Sequence, residues 1–289
     1  MKIDGKLIAA EILDDIKTEV KRLQKKNIDP RLAVVLIGED AASLSFVKQK
    51  TKAAQLTGIT LSLHHFKKTP LYQKLAEFIH ELGQDESIHG IIIQRPLPPS
   101  LSASSLTKII KPNKDVDGFL PKSHFLPPLG LAIFKVLNEI YFRHLHKKVK
   151  PKDDCTKPFL AWLKSKNIVL IGQGETGGKP ISQTFQKYRI NFLLINSRTE
   201  NTEEYISQAD ILISSVGKSQ IIKSNQLKSG AILLGVGVHK EKDKLVGDYD
   251  EKEIATTAGY YTPTPGGIGP VNVACLLQNV VTACKKSRY

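Results

Sequence analysis

Asn167-Ile168-Val169-Leu170-Ile171-Gly172-Gln173-Gly174-Glu175-Thr176-Gly177-Gly178-Lys179-Pro180 is an apolar run that breaks into a glycine-rich turn. Four consecutive aliphatic residues suit a strand buried on both faces, and Gly172, Gly174 and Gly177 fall at the spacing G-x-G-x-x-G. In a dinucleotide site the first glycine permits the tight turn and the second lets the backbone approach a pyrophosphate. The third lets the following helix pack closely. The helix start offers free N–H groups and the positive end of its dipole to the phosphates. The spacing alone also fits an ordinary turn with no ligand. The context favours the ligand: Pro180 to Tyr188 reads as a helix and Ile190 to Ile195 as a second strand, giving a strand-helix-strand unit.

Outward from this unit, the segments Pro30 to Gly38, Leu61 to Phe66 and Gly90 to Gln94 read as strands in the amino-terminal part. Between and before them, helices are expected over Met1 to Leu23, up to Leu56, and over Leu75 to Leu82. The first of these carries an apolar stripe of Ile8, Ile12, Ile16, Val20 and Leu23. The alternation predicts a parallel α/β layer, with ligands at the strand carboxyl ends, Gly38 to Ser43 and Gln94 to Pro98. Phe46 and Lys50, four apart, share a helix face. Lys114-Asp115-Val116-Asp117-Gly118-Phe119 is turn-forming; it lacks further ligands for a metal and reads as an Asx turn. A helix from about Leu129 to Phe142 and a flexible basic insertion up to Pro158 connect the two parts.

After Ile195 come Asn196-Ser197-Arg198-Thr199, with no carboxylate where an NAD enzyme usually has one for the ribose hydroxyl. Ser197 and Arg198 suit a ribose 2′-phosphate, so NADP is expected over NAD. Asp210 to Gly217 and Ala231 to Gly237 add strands, and Thr262 to Pro270 is a loop of prolines and glycines before a last helix, Val271 to about Lys285.

The 289 residues favour about two domains. The longest apolar run, Ala231 to Val238, is far too short to span a bilayer, and Asp4, Glu11, Asp14 and Asp15 are unlike a signal peptide. A cytoplasmic protein is expected. The three cysteines, Cys155, Cys275 and Cys284, lack zinc or disulfide spacing, and no metal is expected. The net charge of +14 is spread along the chain, and the one dense patch, His144 to Lys152, has no interleaved aromatics. Neither a nucleic acid nor a membrane is expected as partner; a basic surface would instead steer small anionic substrates.

The order of these motifs resembles the bifunctional methylenetetrahydrofolate dehydrogenase and methenyltetrahydrofolate cyclohydrolase family. The resemblance rests on Asp4-Gly5-Lys6, Leu32 to Gly38, Ser43 to Lys52 with Gly58-Ile59, Gly90 to Pro98, Lys114 to Phe119, Gly172 to Pro180, Ser197 to Thr199, Ala209 to Gly217, Leu245 to Asp248 and Thr262 to Pro270. It implies two α/β domains flanking a cleft, usually in a homodimer. Residues 1–125, joined by the helix 271–289, would be the folate-binding catalytic domain, and residues 126–270 the Rossmann-type NADP domain. It further implies that Lys50 is the catalytic lysine, that Gln94 holds it, and that Asp117 binds the pterin of a folate substrate. Phe46, Pro265, Gly266 and Gly267 would line the folate. Gly172, Gln173, Gly174, Ser197, Arg198 and Val238 would line the cofactor.

The chain departs from that pattern at several places. Phe46 stands where the family has a tyrosine, Gln173 replaces an arginine, Gly235 an aspartate and Asn272 a threonine. A Pro-Cys-Thr-Pro segment is reduced to Phe125-Leu126-Pro127-Pro128, and the basic insertion is unusual. The expectation is NADP-dependent oxidation of methylenetetrahydrofolate followed by hydrolysis to formyltetrahydrofolate. Two alternatives stay open: a dehydrogenase with weak or lost hydrolysis, and a non-catalytic dinucleotide-binding protein of the same fold.

Overall fold

The computed structural model describes residues 1–147, 156–241 and 244–287. It divides into two compact units. One comprises Ala10–Pro128 with Val273–Tyr289, and the other Met1–Ala9 with Leu129–Asn272. Both are α/β, as the alternation of strand and helix patterns predicts.

In the first unit, the run Arg31–Ile37 forms β1, whose residues are buried on alternate sides alike, so both faces of the strand are covered. Helix α1 (Gly5–Gln24) precedes it and α2 (Ala41–Thr57) follows. Then come β2 (Thr60–Phe66), α3 (Tyr72–Gln84), β3 (Gly90–Ile93) and the short α4 (Ala103–Thr107). The strands pair in parallel in the order β2-β1-β3. Ala33, Val35, Ile37, Ile91 and Ile93 on one face pack with Leu75, Ile79 and Leu82 of α3 and Leu106 of α4. Full burial of each Val, Leu or Ile side chain among them contributes about 1.5–3 kcal/mol before entropy is counted. The chain moves from β1 to β2 on one side and reaches β3 on the other, which makes the carboxyl ends of β1 and β3 the point where strand order reverses.

The second unit begins with α5 (Pro128–Glu139), which runs on into a π-helical turn over Ile140–Leu145, and α6 (Lys157–Lys164). Pro158 therefore lies in the first turn of α6, where a proline costs no hydrogen bond, and not in a loop. Of the expected flexible insertion, residues 148–155, Cys155 among them, lie outside the described residues. There follow β4 (Ile168–Ile171), α7 (Gly178–Lys187), β5 (Leu193–Ile195), α8 (Thr202–Gln208), β6 (Ile211–Ser214) and β7 (Ile232–Gly235). An antiparallel hairpin, β8 (Val238–Glu241) and β9 (Lys244–Gly247), precedes α9 (Glu251–Ile254) and β10 (Tyr260–Tyr261). The last helix, α10 (Ile268–Lys286), starts three residues before the expected Val271, because Pro270 is tolerated within a first turn.

The five-stranded sheet is parallel, in the order β10-β7-β6-β4-β5. Its order reverses between β4 and β6. One face is covered by Ile206, Ile222, Leu227, Tyr249 and Ile254; the aromatic rings of Phe134, Phe159 and Phe185, from α5, α6 and α7, cluster separately within 6.1 Å of one another through Phe134. The first residues join this unit, with Ile3 N–H donating to the Tyr261 carbonyl at 2.8 Å. Among the described residues no helix is long and apolar enough to cross a membrane, and no group of three metal-ligating side chains occurs.

Candidate functional site

Two crevices stand at the two reversal points, and each is built within its own unit. In the first, Asp40 caps α2 by accepting the Ser43 N–H at 2.7 Å, and Gly58 ends the helix with φ +80. Between these caps Ser43, Val47, Ala54 and Thr57 are buried, and Lys50 occupies the same stripe at spacings of three and four. A lysine in an apolar stripe carries its ammonium into the fold. Its Nζ donates to Gln94 Oε1 at 2.7 Å, and Gln94, the first residue after β3, is itself buried. Gln94 Nε2 donates to the Arg95 carbonyl at 2.7 Å, which fixes the amide orientation and turns its oxygen toward Lys50. Phe46, one turn before Lys50, is half-buried.

Asp115 and Asp117 divide the work of their turn. Asp115 is the structural carboxylate, accepting from Leu120 N–H at 2.8 Å and Phe119 N–H at 3.4 Å. The segment is a turn as expected, but not an Asx turn, because the Asp115 carboxylate reaches the N–H groups four and five residues on instead of two. Gly118 has φ +69, and a Cβ there would fall 2.7 Å from the Pro127 nitrogen, so only glycine closes this turn. From α10, Asn279 Nδ2 donates to the carbonyls of Val116 at 2.9 Å and Leu126 at 3.0 Å, holding the turn on both sides.

Burial depresses the proton affinity of Lys50 below its ordinary 10.5, and the charge of Asp117 opposes that shift. Burial likewise raises Asp117 above the ordinary carboxylate value, against the pull of Lys50 and Arg95 and with a push from Asp115. Lys50 thus holds its proton less tightly than a solvated lysine does.

The second crevice lies at the carboxyl ends of β4 and β6. Gly172 leaves β4 with φ +93, and a Cβ on it would meet the Ser215 carbonyl oxygen at 2.6 Å. At Gly177 a Cβ would lie 2.0 Å from Ser215 Oγ, so this glycine admits the neighbouring strand's loop. The close packing of the helix on its own turn belongs instead to Gly178, whose Cβ would meet the Gly172 oxygen. Around Gly174 a Cβ would meet nothing within 4 Å. The glycine expected to face a pyrophosphate thus borders open space, whereas its neighbours are closed in. Helix α7 starts here with no side-chain cap; the Lys179 N–H donates to the Gly174 carbonyl at 3.1 Å and Pro180 has no N–H.

After β5, Thr199 Oγ1 accepts the Asn196 N–H at 3.0 Å and Asn196 Oδ1 accepts the Arg198 N–H at 2.9 Å. This locks a turn whose tip carries the exposed side chains of Ser197 and Arg198. Gln173 is exposed in the glycine turn, and Val238, 40% exposed, begins β8 with its carbonyl beside Gly217. Pro265 is exposed and Gly266 and Gly267 lie against Lys6 and Gly5 of the second unit. Gly267 ends the loop, since Ile268 and Gly269 already belong to α10.

Sequence reasoning missed three groups. Asp248, fully buried, accepts from Ser214 Oγ at 2.5 Å and from the N–H groups of Val216, Gly217 and Lys218 at 3.1, 2.7 and 3.0 Å, fixing the loop after β6. The Leu245 to Asp248 motif was its only signal. Tyr249 fills the space at Gly235, where a Cβ would lie 2.8 Å from its hydroxyl, and donates to the Thr262 carbonyl at 2.5 Å. The side chain absent at position 235 is therefore replaced by a ring from position 249. Arg95, between a buried strand and Pro96, was also passed over.

Comparison with known proteins agrees with this geometry. Residues 3–117 match the model of the tetrahydrofolate dehydrogenase/cyclohydrolase catalytic domain, and residues 159–288 that of its NAD(P)-binding domain. The bifunctional protein FolD of Bacillus licheniformis is 37% identical over 286 residues, covering 99% of this chain and 97% of that protein. The crystal structure of the bifunctional FolD enzyme from Campylobacter jejuni superposes with a TM-score of 0.87 at 31% identity, covering 99% of this chain and 98% of that one. The Trypanosoma brucei enzyme, solved with NADP and an inhibitor, has a TM-score of 0.88 at 25% identity over 100% of this chain and 98% of its own. With both domain models matched in order and relatives similar end to end, the chain belongs to the tetrahydrofolate dehydrogenase/cyclohydrolase family.

Proposed function

We propose that this protein oxidises 5,10-methylenetetrahydrofolate to the 5,10-methenyl form with NADP and hydrolyses that product to 10-formyltetrahydrofolate. The observation that most supports the reading is the Lys50 Nζ to Gln94 Oε1 hydrogen bond of 2.7 Å on a buried helix face, with Asp117 close enough to act on the lysine electrostatically. Bound NADP supplies the hydride acceptor for the oxidative step. For hydrolysis, neutral Lys50 takes a proton from the water that adds to the methenyl carbon; as the carbon–nitrogen bond breaks, the ammonium returns that proton to the departing ring nitrogen, and the hydroxyl proton of the adduct leaves to solvent as the formyl carbonyl forms. Gln94 accepts from the amine and keeps its lone pair directed. Asp117, an acceptor, orients the pterin through its N–H donors.

The open space at Gly174 and the uncapped start of α7 fit the phosphates of a dinucleotide. Ser197 and Arg198 at an exposed, locked turn suit a 2′-phosphate, so NADP is the preferred cofactor. Phe46 favours a second reading of the balance between activities: a ring without a hydroxyl retains stacking and loses a polar contact near Lys50, which makes hydrolysis the weaker step. We infer further that the active form is a cytoplasmic homodimer with no nucleic-acid or membrane partner. In support of the homodimer, β2 is a seven-residue edge strand that carries exposed Leu63 and is followed by exposed Leu71 and Tyr72.

One coupled assay tests this, following reduced cofactor and methenyl absorbance together with NADP and with NAD. Methenyl formation that is faster with NADP is expected. No methenyl product with either cofactor would overturn the enzymatic reading, and faster turnover with NAD the cofactor reading.

A further inference from the structure

Arg95 leaves β3 immediately after Gln94, and nothing in the roles given above uses it. Its guanidinium lies 4.0 Å over the Phe119 ring, and Nη2 donates to Thr107 Oγ1 at 3.0 Å. Thr107 is itself fixed, its hydroxyl donating to the Ala103 carbonyl at 2.8 Å, so a lone pair remains for the arginine. A stacking ring and a directed hydrogen bond immobilise a side chain that is otherwise costly to order. Arg95, Thr107, Phe119 and Asp117 line one small cavity within the first unit. The charged groups that act on Asp117 are Lys50 from α2, Arg95 from the segment after β3, and Asp115 from its own turn. From α10 the neutral Asn279 faces this turn through the Val116 carbonyl.

We propose that Arg95 is a positioning residue of the folate site, its immobilised guanidinium sharing the Asp117 carboxylate with Lys50 so that Lys50 is not the sole counter-ion. The proposal rests on the folate reading above. If Lys50 alone faced Asp117, the two would either close into an ion pair, which takes the amine out of acid-base work, or exchange a proton, which takes the acceptor from the pterin. A second cation that never titrates removes that choice. The direction of the electrostatics agrees, since Arg95 pulls Asp117 toward its charged form.

The test compares the pH dependence of kcat/KM for methylenetetrahydrofolate in the native protein, Arg95→Gln and Arg95→Lys. Arg95→Gln keeps a donor for Thr107 and removes the charge, and should move the acidic limb upward by about one pH unit, the size expected of one partly screened charge nearby. Arg95→Lys keeps the charge and should hold the limb near its native position. A purely structural arginine predicts lower rates in both variants with the limb unmoved, and that result, or an equal shift in both, overturns the proposal. Should Arg95→Gln not fold, Thr107→Val loosens the guanidinium without removing it; a smaller upward shift supports the proposal and none refutes it. A native protein that forms no methenyl product at any pH would instead refute the folate reading.

Discussion

Asp248 offers the sharpest quantitative test, because its carboxylate accepts four hydrogen bonds and its surroundings leave no room for rearrangement. A Cβ at Gly237 would lie 2.3 Å from Asp248 Oδ2. Replacing the residue by asparagine keeps the shape and converts one acceptor into a donor. The Ser214 hydroxyl can turn round and accept from the new amide, but the Val216 N–H, which shares Oδ2 with it, then points at a donor. One orphaned N–H and the loss of charge assistance should cost about 2 kcal/mol. Asp248→Ala orphans all four donors, and with some water reaching the three backbone groups the cost should be about 5 kcal/mol. For a chain of this size that corresponds to Tm decreases of roughly 4–8 °C and 10–20 °C, readable by calorimetry. The same loop borders the second crevice, so the KM for NADP should rise, by about fivefold in Asp248→Asn if half of the lost energy reaches the bound state. Hydrolysis of the methenyl compound needs no cofactor and serves as the internal control. An Asp248→Ala protein that melts within about 2 °C of the native one would refute the assignment of this carboxylate as the fixing point of the loop.

Other expectations concern the first crevice and the pair at Gly235. Lys50→Met keeps the stem and removes the amine; the hydrolytic rate should fall roughly a hundredfold to ten-thousandfold, and an unchanged rate would mark Lys50 as structural. Because burial lowers the proton affinity of Lys50, the native hydrolytic rate should rise with pH along a limb below 10.5, the value of a solvated lysine, and a limb at or above it would contradict the geometry. Phe46→Tyr should raise hydrolysis more than dehydrogenation, and equal change in both activities would show that another group serves in place of the tyrosine. Gly235→Asp should destabilise the protein by about 1–3 kcal/mol through the clash with the Tyr249 hydroxyl. Adding Tyr249→Val should recover much of that loss, and a double variant no more stable than the single one would dissociate the two positions.

Most of what lies close in sequence was legible. The glycine spacing located the second crevice, since a tight turn and a close backbone approach require glycine whatever the surrounding fold. Lys50 was legible only as sharing a helix face with Phe46, and its catalytic part came from resemblance. Asp115 was correctly read as a turn residue, whereas the part given to Asp117 came from resemblance, because periodicity does not distinguish two carboxylates two residues apart. What escaped depends on contacts across the chain. Asp248 bonds to residues about thirty positions earlier, and Tyr249 answers a missing side chain at position 235. The π-helical turn and the two-residue β10 carry too little pattern of their own, and the grouping of Met1–Ala9 with the second unit follows from contacts far along the chain, at Glu251, Tyr261, Gly266 and Gly267.

The hold of Asn279 on the Asp117 turn has a consequence for the making of the protein. The donor and the Val116 carbonyl are 163 positions apart. At a synthesis rate of about 5–20 residues per second, the turn waits roughly ten to thirty seconds for the helix that secures it. Throughout that interval β1, β2, β3 and the Lys50 to Gln94 pair have all their residues available, while the carbonyls of Val116 and Leu126 have none of their native donors. The intervening chain supplies the whole dinucleotide sheet, so that unit is completed before the folate unit can be. The nascent protein should therefore acquire its cofactor crevice first, and a nascent chain that has emerged from the ribosome up to Asn272, with the rest still in the exit tunnel, would carry a folded dinucleotide unit and an unsecured Asp117 turn.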